Sequence, residues 1–145
     1  MLSSTCKYGI RATVYLAGKS KKGERIGIRK ISEDLELPMP FLAKILQELV
    51  KSKILVSSKG PHGGFCIARD PKDIYLIEVV KAIDGEDVFH RCVLYNENCA
   101  SFDKDRSPCI LHNDYVKARG KIEKLFNTKT IQNLVNVARK SNSHY

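Results

Sequence analysis

The chain lacks any apolar stretch long enough to cross a bilayer. The longest uncharged run near its start is Ala12–Gly18, against the roughly 20 apolar residues a membrane helix needs. The same run, closely preceded by Lys7 and Arg11, is too short for a secretory signal. A cytoplasmic, reducing setting without membrane association is therefore expected. Catalytic signatures are missing too: there is no glycine-rich nucleotide fingerprint, no Gly-x-Ser-x-Gly turn and no pair of carboxylates placed for acid–base work, so no enzyme is expected. No internal repeat is present, and neither is the tight Cys-x-x-Cys of a zinc knuckle.

Acidic residues are scarce where basic ones are dense. The 145 residues hold 25 Lys and Arg against 16 Asp and Glu, a net charge of +9. Residues 1–60 carry a surplus of +7 and residues 61–145 only +2, so a polyanion-binding surface is expected in the first half. Apolar residues at 43% and charged residues at 28% are the composition of a folded domain.

A first helix is predicted over residues 3–19, with Tyr8, Ala12, Tyr15 and Leu16 on one face and Ser3 or Ser4 as cap. A lysine-rich turn follows over Gly18–Gly23, and Arg25–Ile28 is read as a short strand. A second helix over Arg29–Leu35 and a third opened by Pro40 flank a turn at Pro38, since proline biases the residue before it away from helix and sits well in a first turn. Leu42, Ile45, Leu46 and Leu49 form the third helix's apolar stripe. Two short helices with a tight turn fit a helix-turn-helix. Ile54–Ser58 and Phe65–Ala68, joined by the turn-rich Lys59–Gly64, read as the hairpin that completes a winged helix.

Tyr75–Ile83 reads as another helix, and residues 84–108 as a loop without steady period. A helix is predicted from Cys109, with Leu111, Tyr115, Ala118, Ile122 and Leu125 spaced as the seam of a two-heptad coiled coil. A last helix, capped by Thr128 or Thr130, carries Ile131, Leu134, Val135 and Ala138, and fraying is expected from Ser141. The fold class expected is mainly α. Its parts are a winged helix-turn-helix domain over 1–84, a cysteine-bearing loop over 85–108, and a dimerisation helix with a terminal helix over 109–140.

Two constellations carry chemistry. Met39, Pro40, Phe41 and Lys44 stand at the leading end of the third helix, the end that reaches base edges in a major groove. Phe41 suits a thymine methyl or the core, and Lys44 a guanine or a phosphate. Lys59 and His62 mark the wing tip, with Lys59 the natural groove or phosphate contact. A solvated basic face is the plain alternative. The second constellation is Cys92, Cys99, Cys109 and His112, a C-x6-C-x9-C-x2-H pattern. Three thiolates and an imidazole suit an iron–sulfur cluster or zinc, while unliganded buried cysteines also pack well. Cys6 and Cys66 stand apart and read as structural, although Cys6, in a first helical turn, is placed where a thiolate can be favoured.

The order of these motifs resembles the Rrf2 family of bacterial winged-helix regulators, in particular its iron–sulfur and nitric-oxide-sensing branch. The likeness is carried by Lys7–Ala12, Ile31-Ser32-Glu33, Leu42–Leu49, Ala68–Pro71 and Ile83-Asp84-Gly85, and most specifically by Lys59-Gly60-Pro61-His62-Gly63-Gly64-Phe65. It spans about residues 1–135. The resemblance implies a homodimer that reads palindromic double-stranded DNA, with Pro38, Pro40, Ala43, Lys44 and Lys59 at the contact positions. It implies a [2Fe-2S] or [4Fe-4S] cluster on Cys92, Cys99 and Cys109, with His112 as the completing ligand. Ala43 replaces an acidic residue found in the cluster-binding branch, and the two gaps between cysteines are longer here. Where some members complete the cluster with an acidic residue from the partner's first helix, this chain has Lys7, with Cys6 beside it as an outside candidate. The expected function is a transcription regulator controlled by iron, redox state or nitric oxide. The alternatives are a cluster-free regulator responding to thiol oxidation or a protein partner, and a structural zinc protein that binds DNA.

Overall fold

The computed structural model describes residues 1–19, 23–94 and 110–141. Helix α1 (Ser4–Lys19) is followed by α2 (Ile28–Leu35), α3 (Met39–Lys51), strands β1 (Leu55–Ser58) and β2 (Gly64–Ile67), and a 3-10 turn over Pro71–Asp73. Then come α4 (Leu76–Asp84), a second 3-10 turn over Glu86–Phe89, α5 (His112–Thr128) and α6 (Ile131–Ser141). Mainly helical structure with one two-stranded hairpin is the winged-helix class the sequence predicts. Ser20–Lys22 of the lysine-rich turn, and the tail beyond Ser141, lie outside the described residues.

The caps follow local chemistry. Ser3 Oγ accepts the Cys6 N–H at 2.9 Å, which satisfies one of the open donors of α1. Thr130 rather than Thr128 caps α6, through the Asn133 N–H at 3.3 Å, while Asn133 Oδ1 accepts the Thr130 N–H at 2.9 Å. Tyr75 lies just outside α4, its N–H held by Glu78 at 2.8 Å. Arg25–Ile28 forms no strand of its own: Ile26 alone pairs with Phe65, through two hydrogen bonds of 2.9 Å, and Ile28 already opens α2.

The main core gathers Leu16 of α1, Ile31 and Leu35 of α2, Leu42, Ile45, Leu46 and Leu49 of α3, Leu55 of β1, Val79 of α4, and Ile131 and Val135 of α6. Helix α6 therefore packs back onto the winged domain. It is pinned there by hydrogen bonds from the Leu76 N–H to the Lys129 carbonyl and from the Ile131 N–H to the Ile74 carbonyl.

A second, smaller core holds Cys6, Ile77, Val80, Val88 and Phe89, covered by half-buried Ile122 and Phe126 of α5. It corrects the expectation of an aperiodic loop from residue 84, because Val88 and Phe89 are buried there. Two apolar residues in a single 3-10 turn are too few to show any period. Helix α5 also begins later than expected, at His112, with Leu111 as its flanking residue.

Candidate functional site

Helix α3 is placed by its turn. Helix α2 ends at Glu36, in the left-handed conformation at φ 55°. Arg11 of α1 donates to the Leu35 carbonyl at 3.3 Å and lies over the Tyr8 ring. The Tyr8 ring meets Phe41 edge-on, with centroids 5.6 Å apart. Phe41 is thus half-buried against α1. Pro38, Met39, Pro40 and Lys44 are exposed, and Ala43 is half-buried. Gln47 is exposed on the same side as Lys44 and was not singled out from the sequence. The stripe of Leu42, Ile45, Leu46 and Leu49 would have located it, since a glutamine opposite that stripe is a candidate for adenine.

The wing follows from its glycines. Strands β1 and β2 pair antiparallel, with Leu55 opposite Ile67 and Ser58 opposite Gly64. Gly60 turns at φ 103°, and the Gly63 N–H closes the loop onto the Gly60 carbonyl at 2.9 Å. A side chain at Gly63 would collide with the backbone of Ser58 and Lys59, so the tip stays narrow. Lys59, Pro61 and His62 are exposed around it.

The cysteines separate into two kinds. Cys66 is buried on β2. Cys6 is fully buried in the second core, and burial, reinforced by the adjacent Asp84 carboxylate that accepts from it, pushes its thiol up to about 12. The helical position therefore does not favour a thiolate, because desolvation and a neighbouring negative charge outweigh the helix end. Cys6 packs within the second core. Cys92 instead lies half-exposed, three residues beyond Phe89, and its sulfur accepts the Leu94 N–H at 3.5 Å. Next to it, the Arg91 carbonyl accepts from Arg119 of α5 at 3.2 Å. His112, half-buried, is the first residue of α5. Cys99 and Cys109 lie outside the described residues, and among the described residues no three His, Cys, Asp or Glu side chains are grouped to hold a metal.

Helix α5 has no fully buried residue. Of the predicted seam, Tyr115 and Ile122 are half-buried, while Leu111, Ala118 and Leu125, one heptad apart, are exposed. Leu111 keeps 44% and Leu125 49% of its surface. Among the described residues no helix is long and apolar enough to cross a membrane.

Comparison with known proteins places this geometry. Residues 2–137 match the Rrf2 family, described as iron-dependent transcriptional regulators. A protein of Aquifex aeolicus named as an HTH-type transcriptional regulator is 30% identical over 140 residues, covering 97% of this chain and 94% of that protein. The HTH-type transcriptional regulator IscR of Serratia proteamaculans is 27% identical over 135 residues, 93% of this chain and 79% of that protein. Among solved structures, IscR of T. potens matches with a TM-score of 0.77 at 22% identity, over 100% of this chain and 93% of that one. CymR of B. subtilis, titled the global cysteine regulator, matches with a TM-score of 0.77 at 17% identity, over 94% and 97%. These two likenesses show the shared fold. With nearly the whole sequence matched to one family and the winged-helix architecture to go with it, the chain belongs to the Rrf2 family of transcriptional regulators and is not an enzyme.

Proposed function

We propose that the chain is a homodimeric DNA-binding regulator whose affinity for its operator is set by an iron–sulfur cluster. The observation that carries this reading is the separation of the cysteines. Cys6 and Cys66 are buried in packed cores, whereas Cys92 stands half-exposed beyond them, at the start of the stretch that contains Cys99 and Cys109 and ends at His112. Three thiolates with an imidazole fit an iron–sulfur cluster by donor type. The family's iron-dependent description and the relatives named IscR support the same choice. A cluster bound there would supply iron with one exchangeable ligand, open to iron supply, oxidants or nitric oxide.

The remaining roles fall to this chain's own residues. Pro38, Pro40, Phe41, Ala43 and Lys44 face or support the major-groove contact, and Lys59 and His62 the contact of the wing. The surplus of +7 in residues 1–60 draws that face to the phosphate backbone. Leu111, Ala118 and Leu125 meet their counterparts in a second copy, which sets the distance between half-sites of a palindrome. The cysteines span the connection from the second core to α5. Ligation there therefore bears on where the dimer seam sits relative to the winged domain 1–84.

Purification without oxygen, followed by visible absorbance and iron and sulfide counts, tests the reading. Coloured protein with matching iron and sulfide is expected, and replacing Cys92, Cys99 and Cys109 together by Ala should remove both colour and response. Colourless protein carrying zinc would replace the reading with a structural zinc site. Metal-free protein whose DNA binding follows thiol oxidation would replace it with a cluster-free regulator.

A further inference from the structure

The leading end of α3 has an unusual chemistry for a surface meant to read bases. Pro38 and Pro40 have no N–H, no acidic residue lies in the first turn, and no side chain caps the helix. Met39 stands between the two prolines with 41% of its surface exposed. Phe41 is committed to Tyr8, and Leu42 is fully buried. The first side chain on this helix able to hydrogen-bond is Lys44, more than a turn along. A base edge opposite the tip therefore meets a thioether and two pyrrolidine rings, and no polar side-chain partner.

In the major groove only thymine offers a methyl group, whereas the other base edges offer donors and acceptors. Covering those with carbon strips their water without replacing it. A flexible, polarisable thioether adapts to a small apolar target. We propose that Met39, framed by Pro38 and Pro40, is a specificity-determining residue that selects a thymine 5-methyl in each half-site. This rests on the DNA-reading role proposed above, and it assigns to Met39 a contact that the position of Phe41 leaves open.

The test uses duplexes that the full-length protein recovers from a random-sequence pool. These are resynthesised with each thymine replaced in turn by uracil, which removes the methyl and keeps the pairing. One position per half-site is expected to weaken binding about fourfold, the size of one buried methyl at ~0.8 kcal/mol. Met39→Ala, which removes the contact from both subunits, should bind the thymine duplex about fifteenfold more weakly, at ~0.8 kcal/mol per half-site, and no longer distinguish uracil. Because Met39 is exposed, its replacement is expected to leave the circular dichroism unchanged. Lys59→Ala should weaken both duplexes equally and keep their ratio. The proposal is overturned if uracil is tolerated everywhere, if the recovered sites share no thymine, or if Met39→Ala still discriminates. Failure to recover any duplex removes the DNA-reading role itself, and this inference with it.

Discussion

Cys6, Cys66 and Cys92 carry one functional group into different surroundings, and the surroundings decide the chemistry. With its thiol raised to about 12, Cys6 stays protonated at pH 8. Iodoacetamide at that pH should spare Cys6 in the folded protein and label it after unfolding, as read by peptide mass spectrometry. The linkage has a definite sign. The unfolded thiol ionises near its ordinary value of about 8.5 and the folded one far above it. Cys6 thus contributes stability that is complete below about pH 8.5 and declines as pH rises towards 12. A denaturation series across that range should show Cys6→Ala losing this part of the decline. At the other end of the scale, Asp34 is held down at about 2 by Lys30, Tyr15 and Lys19, so its contribution is present above the usual carboxylate range and fades as pH falls towards 2. For Lys59, replacement by Ala should cost roughly 1–3 kcal/mol of DNA binding if it reads a base, or lower the salt dependence by about one unit if it touches phosphate. Affinity unchanged at every salt concentration would count against the wing contact. The wing itself was legible because Gly60, Gly63 and Gly64 are demanded by backbone geometry. The fate of Phe41 was not, since an aromatic residue in a first turn suits either groove or core until Tyr8 is placed opposite it.

Among the elements, the helices with a repeated apolar stripe were readable and the short pieces were not. Helix α3 shows its four leucine and isoleucine positions plainly, whereas the 3-10 turn of Val88 and Phe89 has no period to detect. Periodicity also does not say what a stripe packs against: Ile131 and Val135 of α6 complete the main core rather than extending α5. Phe89, 1% exposed and with its ring centroid 5.9 Å from that of Phe126, joins the second 3-10 turn to α5 within the second core. Phe89→Ala should lower stability by about 3–5 kcal/mol, the usual cost of emptying a buried aromatic site, measured by urea denaturation. Leu125→Glu lies on the exposed part of α5. It should leave the circular dichroism intact and shift the protein to monomer in sedimentation equilibrium. A dimer that persists would place the subunit contact elsewhere.

For the molecule as a whole, the basic surplus and the candidate cluster ligands occupy different stretches of the chain. The basic surplus sits in the first half with α3 and the wing, and the cluster candidates run from Cys92 to His112, between the second core and α5. That order was visible in the sequence as a charge imbalance and a cysteine spacing. The second core that joins the two was not, because it brings α1 and α5, far apart along the chain, onto α4 and the 3-10 turn that follows it. We propose that ligation on Cys92, Cys99 and Cys109 changes the grip on DNA. The most direct measurement is the Kd for one selected duplex, determined without oxygen on a single preparation before and after the iron is removed. A change of about a hundredfold, near 3 kcal/mol, is expected. Equal affinity in the two states, with iron shown to be present in the first, would contradict it.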